Sequence, residues 1–448
     1  MATKTVMPAK AGIQGHTLGS ARVTLDPRGR GDDGAEHKGA EGTATMKVLE
    51  GMLVADFSRV LAGPFCGQLL ADMGATVIRV ESPEGDENRA WPPQTRDGIG
   101  INYASVNRGK HSLVLDLKQE AARPVVRRLA ERADVLLHSF LPSTAAKLGI
   151  DHAALSRINP RLVFCSISGY GAEGPLADKR GYDLMVQAFS GVMSLTGIEG
   201  GPPIRVGPSF IDMSTGLSAY GGVMTALLGR ERTGRGAHVR ASLLETAVAV
   251  LGHQGLGWLE AGVLPTKQGT GSAHLAPYQA FRCRDGYMLA GAPNDAAWRR
   301  FCSALGTPAL VDDPRFADNH ARVANRGALV EALEARFGTQ PVAHWVERFE
   351  AAKVACAPIH TLDQILVHPQ VRANDMVVEV DGNDGTTVSG LGTPFKLSEG
   401  GGTARRGVPR LGADTVAVLR DRLQFSDAEI AQLRAAGAVI QGEEAHAR

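Results

Sequence analysis

The chain has 448 residues, with 48 Lys plus Arg against 47 Asp plus Glu and a formal net charge of +1. At roughly 100–200 residues per domain this is room for two domains, and the balanced charge gives no electrostatic footprint for nucleic acid or an anionic membrane, so the expected partner is a small molecule. Five widely spaced cysteines without a CxxC pair point to reduced thiols in a cytosolic protein rather than to a disulfide framework or a zinc site. No apolar run reaches the roughly 18 residues of a transmembrane helix, and a soluble, cytoplasmic protein is expected.

Residues 1–45 have few large apolar side chains, no periodicity and many Gly, Asp and Arg, a composition that does not offset the entropy of ordering it. They are expected to be a disordered extension or the product of an upstream start codon, without the apolar core of a secretory signal. From Met46, KVLEGMLVADFSRV supplies a β-rich run, AGPFCGQLLADMGA a helix opening on Gly-Pro, and TVIRVES a second strand. That is a βαβ unit, for which a right-handed parallel crossover is the default. HSLVLDL then reads as a strand, QEAARPVVRRLAERA as a helix broken early by Pro124, DVLLHSF as a strand, STAAKLGI as a helix and RLVFCSISG as a strand. In such an open α/β sheet ligands sit beyond the carboxyl ends of the strands, so functional loops are expected after Val60, Val80, His138 and Ser168.

GYGAEG, residues 169–174, is literally GxGxxG after a strand. Pro175 and the polar LADKRGYD follow where a dinucleotide fingerprint needs a helix, and the stretch is not in the first βα turn. It is read as a Gly loop that lets backbone approach a ligand. FIDMSTGLSAYGG then places a single carboxylate, Asp212, at the mouth of a long small-residue helix that RERTGRG ends. From the residues alone two roles stay open. Asp212 is a helix N-cap, worth about 1 kcal/mol, or a reactive group, since Ser214 and Thr215 can cap instead and GLSAYGG leaves room for a bulky ligand. In ASLLETAVAVL, Glu245 is read as an exposed or capping residue, and His253 just beyond as a core histidine. APYQAFRCRDGYMLAGAP reads as a hairpin turning at RDG. Helices follow in DAAWRRFCSALG, GALVEALEARFG and VAHWVERFEAA, strands in MVVEV and TTVSGLGTPFKL, and TVAVLRDRL leads to a final helix.

The segments VLEGMLVADFSRVLAGPFCGQLLADMGATVIRVESPEGDENR, NRGKHSLVLDLK, SISGYGAEGPLADKRGYDLMVQAFSGVMSLTG, GPPIRVGPSFIDMSTGLSAYGGVMTALLGRERTGRG and VRASLLETA, in this order, resemble the class III CoA-transferases. This is the CaiB/BaiF family that includes formyl-CoA transferase. The resemblance implies an open Rossmann-like parallel-sheet large domain over 46–245, completed by 400–448, a linker over 246–270, and a smaller α+β domain over 271–399, in an interlocked homodimer. It implies a CoA-transferase that moves CoA from an acyl-CoA to a carboxylic acid through aspartyl anhydride and aspartyl-CoA intermediates, with Asp212 at the position of the nucleophile. Such chemistry needs no metal and no permanently bound cofactor. It needs exclusion of water and donors for each oxyanion.

By the same resemblance GTGSAH corresponds to the glycine loop that covers the nucleophile, so Gly269, Gly271 and His274 are candidate substrate contacts with Tyr182 and Asp183. Val60, Arg79, Arg108, Lys110, Ser139, Phe140, Lys147 and Arg180 fall at or near positions that hold CoA. The α-methylacyl-CoA racemases share the fold but resemble Gly-His-Asp where this chain has Gly181-Tyr182-Asp183. A tyrosine with a pKa near 10 is a poor second base, which favours transfer. A racemase and a non-catalytic CoA-binding protein of the same fold are the alternatives. Arg205 beside the Asp212 segment hints at an anionic, dicarboxylic acceptor.

Overall fold

Seven strands form the main sheet in the order β12-β3-β2-β1-β4-β5-β6 of the computed structural model, which describes residues 46–383 and 385–442. The strands are β1 (Leu53–Phe57), β2 (Thr76–Glu81), β3 (Lys110–Leu115), β4 (Val135–His138), β5 (Val163–Ser168), β6 (His238–Ser242) and, from the far end of the chain, β12 (Val439–Ile440). All neighbours are parallel except β12, which runs antiparallel to β3. The order reverses at β1, with β2 on one side and β4 on the other. That is the switch point at which open α/β sheets bind ligands. The expectations for residues 1–45 lie outside the described residues.

Each face of the sheet carries its own apolar layer. On one, Ala55, Ile78, Leu113, Leu136 and Phe164 pack against the helix Arg123–Arg132 and against Leu419, Leu423 and Ile430 near the C-terminus. On the other, Val54, Val77, Leu137 and Cys165 meet the helix Ala62–Asp72 and the long helix Phe210–Thr233. Pro124 does not break a helix. It stands at the start of Arg123–Arg132, behind a single 3-10 turn at Glu120–Ala122, where its missing N–H costs nothing.

A second core gathers around Trp298, Phe301, Phe337, Trp345 and Phe349. It is covered by the antiparallel sheet of β7 (Tyr278–Arg282), β8 (Tyr287–Gly291) and β9 (Ala355–Pro358), with β10 (Val377–Asp381) and β11 (Thr387–Leu391) as a separate hairpin. Strands β6, β9 and β12 were not read from the sequence. The core role for His253 is corrected: it lies on the helix Gly252–Ala261, none of whose residues is buried. Glu245 does cap, taking the Ser242 hydroxyl at 2.5 Å while Ser242 Oγ accepts from its N–H. No described helix is long and apolar enough to cross a membrane.

Candidate active site

Asp212 stands in the first turn of Phe210–Thr233, but it is not the cap. Ser209 occupies the N-cap position without a side-chain bond. The orphan N–H groups of Ile211 and Asp212 donate instead to Asp183 Oδ2, at 2.8 and 3.0 Å. Ser214 and Thr215 lie inside the helix and cap nothing; Thr215 Oγ1 is buried without a partner. The cap is borrowed from the first residue of the helix Asp183–Phe189. Gln187 of that helix donates to the second Asp183 oxygen at 2.5 Å and accepts from the Val206 N–H at 2.9 Å.

Asp212 as a residue is 9 % exposed, and its carboxylate has no hydrogen-bond or ion-pair partner among the described residues. Burial first, and the neighbouring Asp183 charge second, push its carboxyl up to about 7. The small residues beside it serve close packing. A Cβ on Gly216 would stand 2.7 Å from the Ala62 carbonyl oxygen and 2.9 Å from the Phe65 ring, so only glycine lets the two helices meet there.

The GYGAEG stretch has a similar purpose. A Cβ on Gly169 would stand 2.6 Å from the Gly181 nitrogen, so the loop closes as a backbone crossing that delivers Tyr182 and Asp183 to the start of their helix. Tyr182 is 47 % exposed, and its hydroxyl reaches Glu87 Oε1 at 3.4 Å.

Beyond the carboxyl ends of β1, β2 and β3 opens a cavity of about 1110 Å³, lined among others by Phe57, Arg59, Lys118, Arg123, Phe140 and Lys147. The Arg59 N–H donates to Ser139 Oγ at 2.9 Å, tying the turn after β1 to the turn after β4. Val60 follows with φ +64°, a left-handed conformation that costs a β-branched residue on the order of 1–3 kcal/mol. Its N–H donates to Asp86 Oδ2 and its carbonyl accepts from Asn88 Nδ2. Its side chain packs in one cluster with Met213, the neighbour of Asp212. Val60 thus follows cavity-lining Arg59 and packs in the cluster that Met213 of the helix Phe210–Thr233 also joins.

Of the cations expected to face CoA, three are turned inward. Arg79 lies within β2, not after it, paired with Asp86 at 2.5 Å and Asp56 at 3.5 Å and donating to the Ser58 carbonyl; it reaches the cavity only as part of its wall. Lys110 is fully buried, its ammonium on Asp56 Oδ2, the Pro64 carbonyl and Asn107 Oδ1. Arg108 donates to Asp72 Oδ2 and the Leu391 carbonyl. The Nε of Arg79 and of Arg108 has no partner, but it is buried, so these cations are withheld from a phosphate by their enclosure rather than by filled donors. Lys147 lines the cavity and Arg180 is exposed.

Sequence reasoning missed Asp56, Asp86, Asn88 and Gln187. VADFS gives no local sign that Asp56 meets a lysine 54 positions on. The YDLMVQ spacing does put Asp183 and Gln187 one turn apart, and that was a readable signal.

The model of CoA-transferase family III matches residues 49–415. The succinyl-CoA:glutarate CoA-transferase of Homo sapiens is 35% identical over 399 residues, which is 89% of this chain and 91% of that protein. The succinate–glutarate CoA-transferase of Agrobacterium fabrum is 37% identical over 83% of this chain and 95% of its own. A crystal structure of a CAIB/BAIF family protein from Brucella suis superposes with a TM-score of 0.77 at 36% identity, covering 84% of this chain and all of that one. The chain belongs to CoA-transferase family III.

As a class III enzyme it transfers CoA between an acyl-CoA and a carboxylic acid. In this family III chain no hydrogen bond among the described residues joins the glycine loop to Asp212. Gly269 (φ +59°) donates its N–H to the Gly197 carbonyl at 2.8 Å, and Lys267 Nζ donates to the Gly201 carbonyl at 2.6 Å. The loop is thereby fastened to the segment that leads into the Asp212 helix. The Gly271 N–H is bonded to the Gln268 carbonyl, so neither glycine N–H is free for an oxyanion in this arrangement. His274 is exposed, its carbonyl held by Asn319 and its ring 6.4 Å from that of His253.

Proposed function

We propose that this enzyme exchanges CoA between dicarboxylic acids, with Asp212 as the nucleophile. The observation that carries the reading is a nearly buried carboxylate whose backbone is fixed by Asp183 while its own oxygens are left unbonded. An Asp212 oxygen attacks the thioester carbonyl, the C–S bond breaks, and CoA leaves as thiolate from a mixed anhydride. The thiolate attacks Cγ of Asp212, the donor acid leaves as carboxylate, and an aspartyl-CoA thioester remains. The acceptor carboxylate attacks the same Cγ and expels the thiolate. That thiolate then attacks the acceptor's carbonyl, giving the new acyl-CoA and restoring Asp212. No proton is gained or lost over the cycle.

The cavity beside Val60 suits the nucleotide half of CoA. Arg59, Lys118, Arg123 and Lys147 are placed for its phosphates and Phe140 for its base, with the thioester arm passing Val60 toward Asp212. Dicarboxylic substrates are supported by the relatives that act on succinate and glutarate, and by exposed Arg205, one residue from the Val206–Gln187 bond and without an ion pair among the described residues. A homodimer is supported by Leu256, Trp258 and Leu259 on the exposed helix Gly252–Ala261, together with exposed Val263 and Leu264. All five cysteines are free, as suits the cytoplasm.

The test is incubation with succinyl-CoA, trapping with hydroxylamine and mass spectrometry of the peptide containing Asp212. A hydroxamate on Asp212 that is absent from Asp212→Asn is the expected result. Unimpaired transfer by Asp212→Ala or Asp212→Asn sinks the nucleophile assignment, and an assay with glutarate against monocarboxylic acceptors decides the substrate class.

A further inference from the structure

Gln187 is 1 % exposed, is spent on two polar partners, and touches neither the cavity nor the Asp212 carboxylate. A buried amide needs its partners for its own sake, but the identity of these two is informative. One is the Asp183 oxygen opposite the oxygen that holds the Ile211 and Asp212 N–H groups. The other is the Val206 N–H, in the segment to which Gly269 and Lys267 are fastened. A path of hydrogen bonds joined by the covalent backbone of residues 197–206 therefore runs from the glycine loop through Gln187 and Asp183 to the peptide of Asp212.

Resting on the reading of Asp212 as nucleophile, we propose that Gln187 is a positioning residue: by clasping Asp183 and Val206 together it fixes the carboxylate that holds the nucleophile's turn, and couples that turn to the glycine loop. The physical need is specific. A carboxylate free to rotate about its last torsion presents either oxygen to the helix and its charge at a varying distance from Asp212. Anchoring one oxygen sets both. Loss of the clasp lets Asp183 turn, which alters the ionisation of Asp212 as well as its orientation. A merely packed glutamine would alter neither.

Two substitutions separate these cases. Gln187→Met keeps the volume and removes both bonds; Gln187→Glu keeps the shape but sets a carboxylate against the Asp183 carboxylate. The expected result for each is a roughly tenfold or greater loss in the rate of aspartyl-CoA formation with KM for succinyl-CoA within about twofold. The pH midpoint of that step should also move by roughly half a unit or more, in the upward direction for Gln187→Glu. Folded variants that keep the wild-type midpoint and rate overturn the proposal. Asp212→Asn is run alongside: if it still forms the thioester, the underlying reading has failed, whereas an inactive Asp212→Asn with unchanged Gln187 variants removes only the clasp. Hydrogen exchange on the wild-type enzyme needs no variant to fold. The Val206 amide should be protected together with those of Ile211 and Asp212, and exchange of Val206 at the rate of open chain would overturn the coupling.

Discussion

Two groups of buried charge lie on either side of Val60, and they are built on opposite rules. Below it, Asp56, Lys110, Arg79 and Asp86 are all but sealed from solvent, and each charge meets another within 3.5 Å. Above it, Asp212 is nearly as buried and meets none. Paired charges hold the turn after β1 in place. The unpaired one is expensive for the fold, and its proposed role as nucleophile draws on the same lack of a partner. The difference teaches that burial alone does not set a carboxylate apart; burial without a charged partner does.

The sharpest way to break this contrast is Asp212→Asn, expected to lower transfer by roughly a thousandfold or more in a steady-state assay while making the protein harder to unfold. The sign follows from linkage. A carboxyl raised from 3.8 to about 7 binds its proton more tightly folded than unfolded, so its contribution is most favourable below pH 4 and is lost as the pH rises to 7. Melting Asp212→Asn and wild type at pH 8 should show the variant ahead by an amount on the order of a few kcal/mol, and a variant that melts lower would end the claim that the charge strains the fold. On the paired side the effect reverses. Lys110→Met leaves Asp56 with one fewer cation and should cost roughly 3–5 kcal/mol in denaturant titration.

A further contrast lies in pH. Burial alone would raise Glu81, but Arg89, bonded to it at 2.7 and 2.8 Å, and then Arg79 bring it down to about 2. Its stabilisation is therefore complete above pH 4.5 and lost as the pH falls toward 2. Aspartyl-CoA formation should already fail on the acid side of about pH 7, where Asp212 takes up a proton. Stopped assays from pH 5 to 8 beside circular dichroism over the same range should show activity falling while the fold persists. The smallest expected effect is at the cavity's rim. Arg123→Ala and Lys147→Ala should each raise KM for acyl-CoA roughly three- to tenfold, more at low salt, with kcat little changed.

Most of the large sheet was legible because its strands are buried on both faces and read as short β-branched runs between turn residues. Asp212 is conspicuous in the sequence as a lone acid in a run of small residues, but its reading as nucleophile comes from the family resemblance and not from that pattern. The inward cations were not: Arg79, Arg108 and Lys110 look like surface charges in sequence, and what internalises them is acids drawn from Asp56, Asp72 and Asp86. No local pattern encodes such a meeting. The two-residue strand β12 carries no periodicity of its own, and Gln187 discloses its second partner only once Val206 has been folded back onto it.

That last strand has a consequence for synthesis. Ile440 and Val439 close the edge at β3, and Thr415 and Asp414 bond the backbone of Val114 and Ser112 across about 300 residues. Until the ribosome has made nearly the whole chain, β3 therefore shows an unpaired backbone edge to its surroundings. The nascent first half carries its own risk of mispairing, and a chaperone that shields that edge would have to wait for the final helix to emerge before letting go.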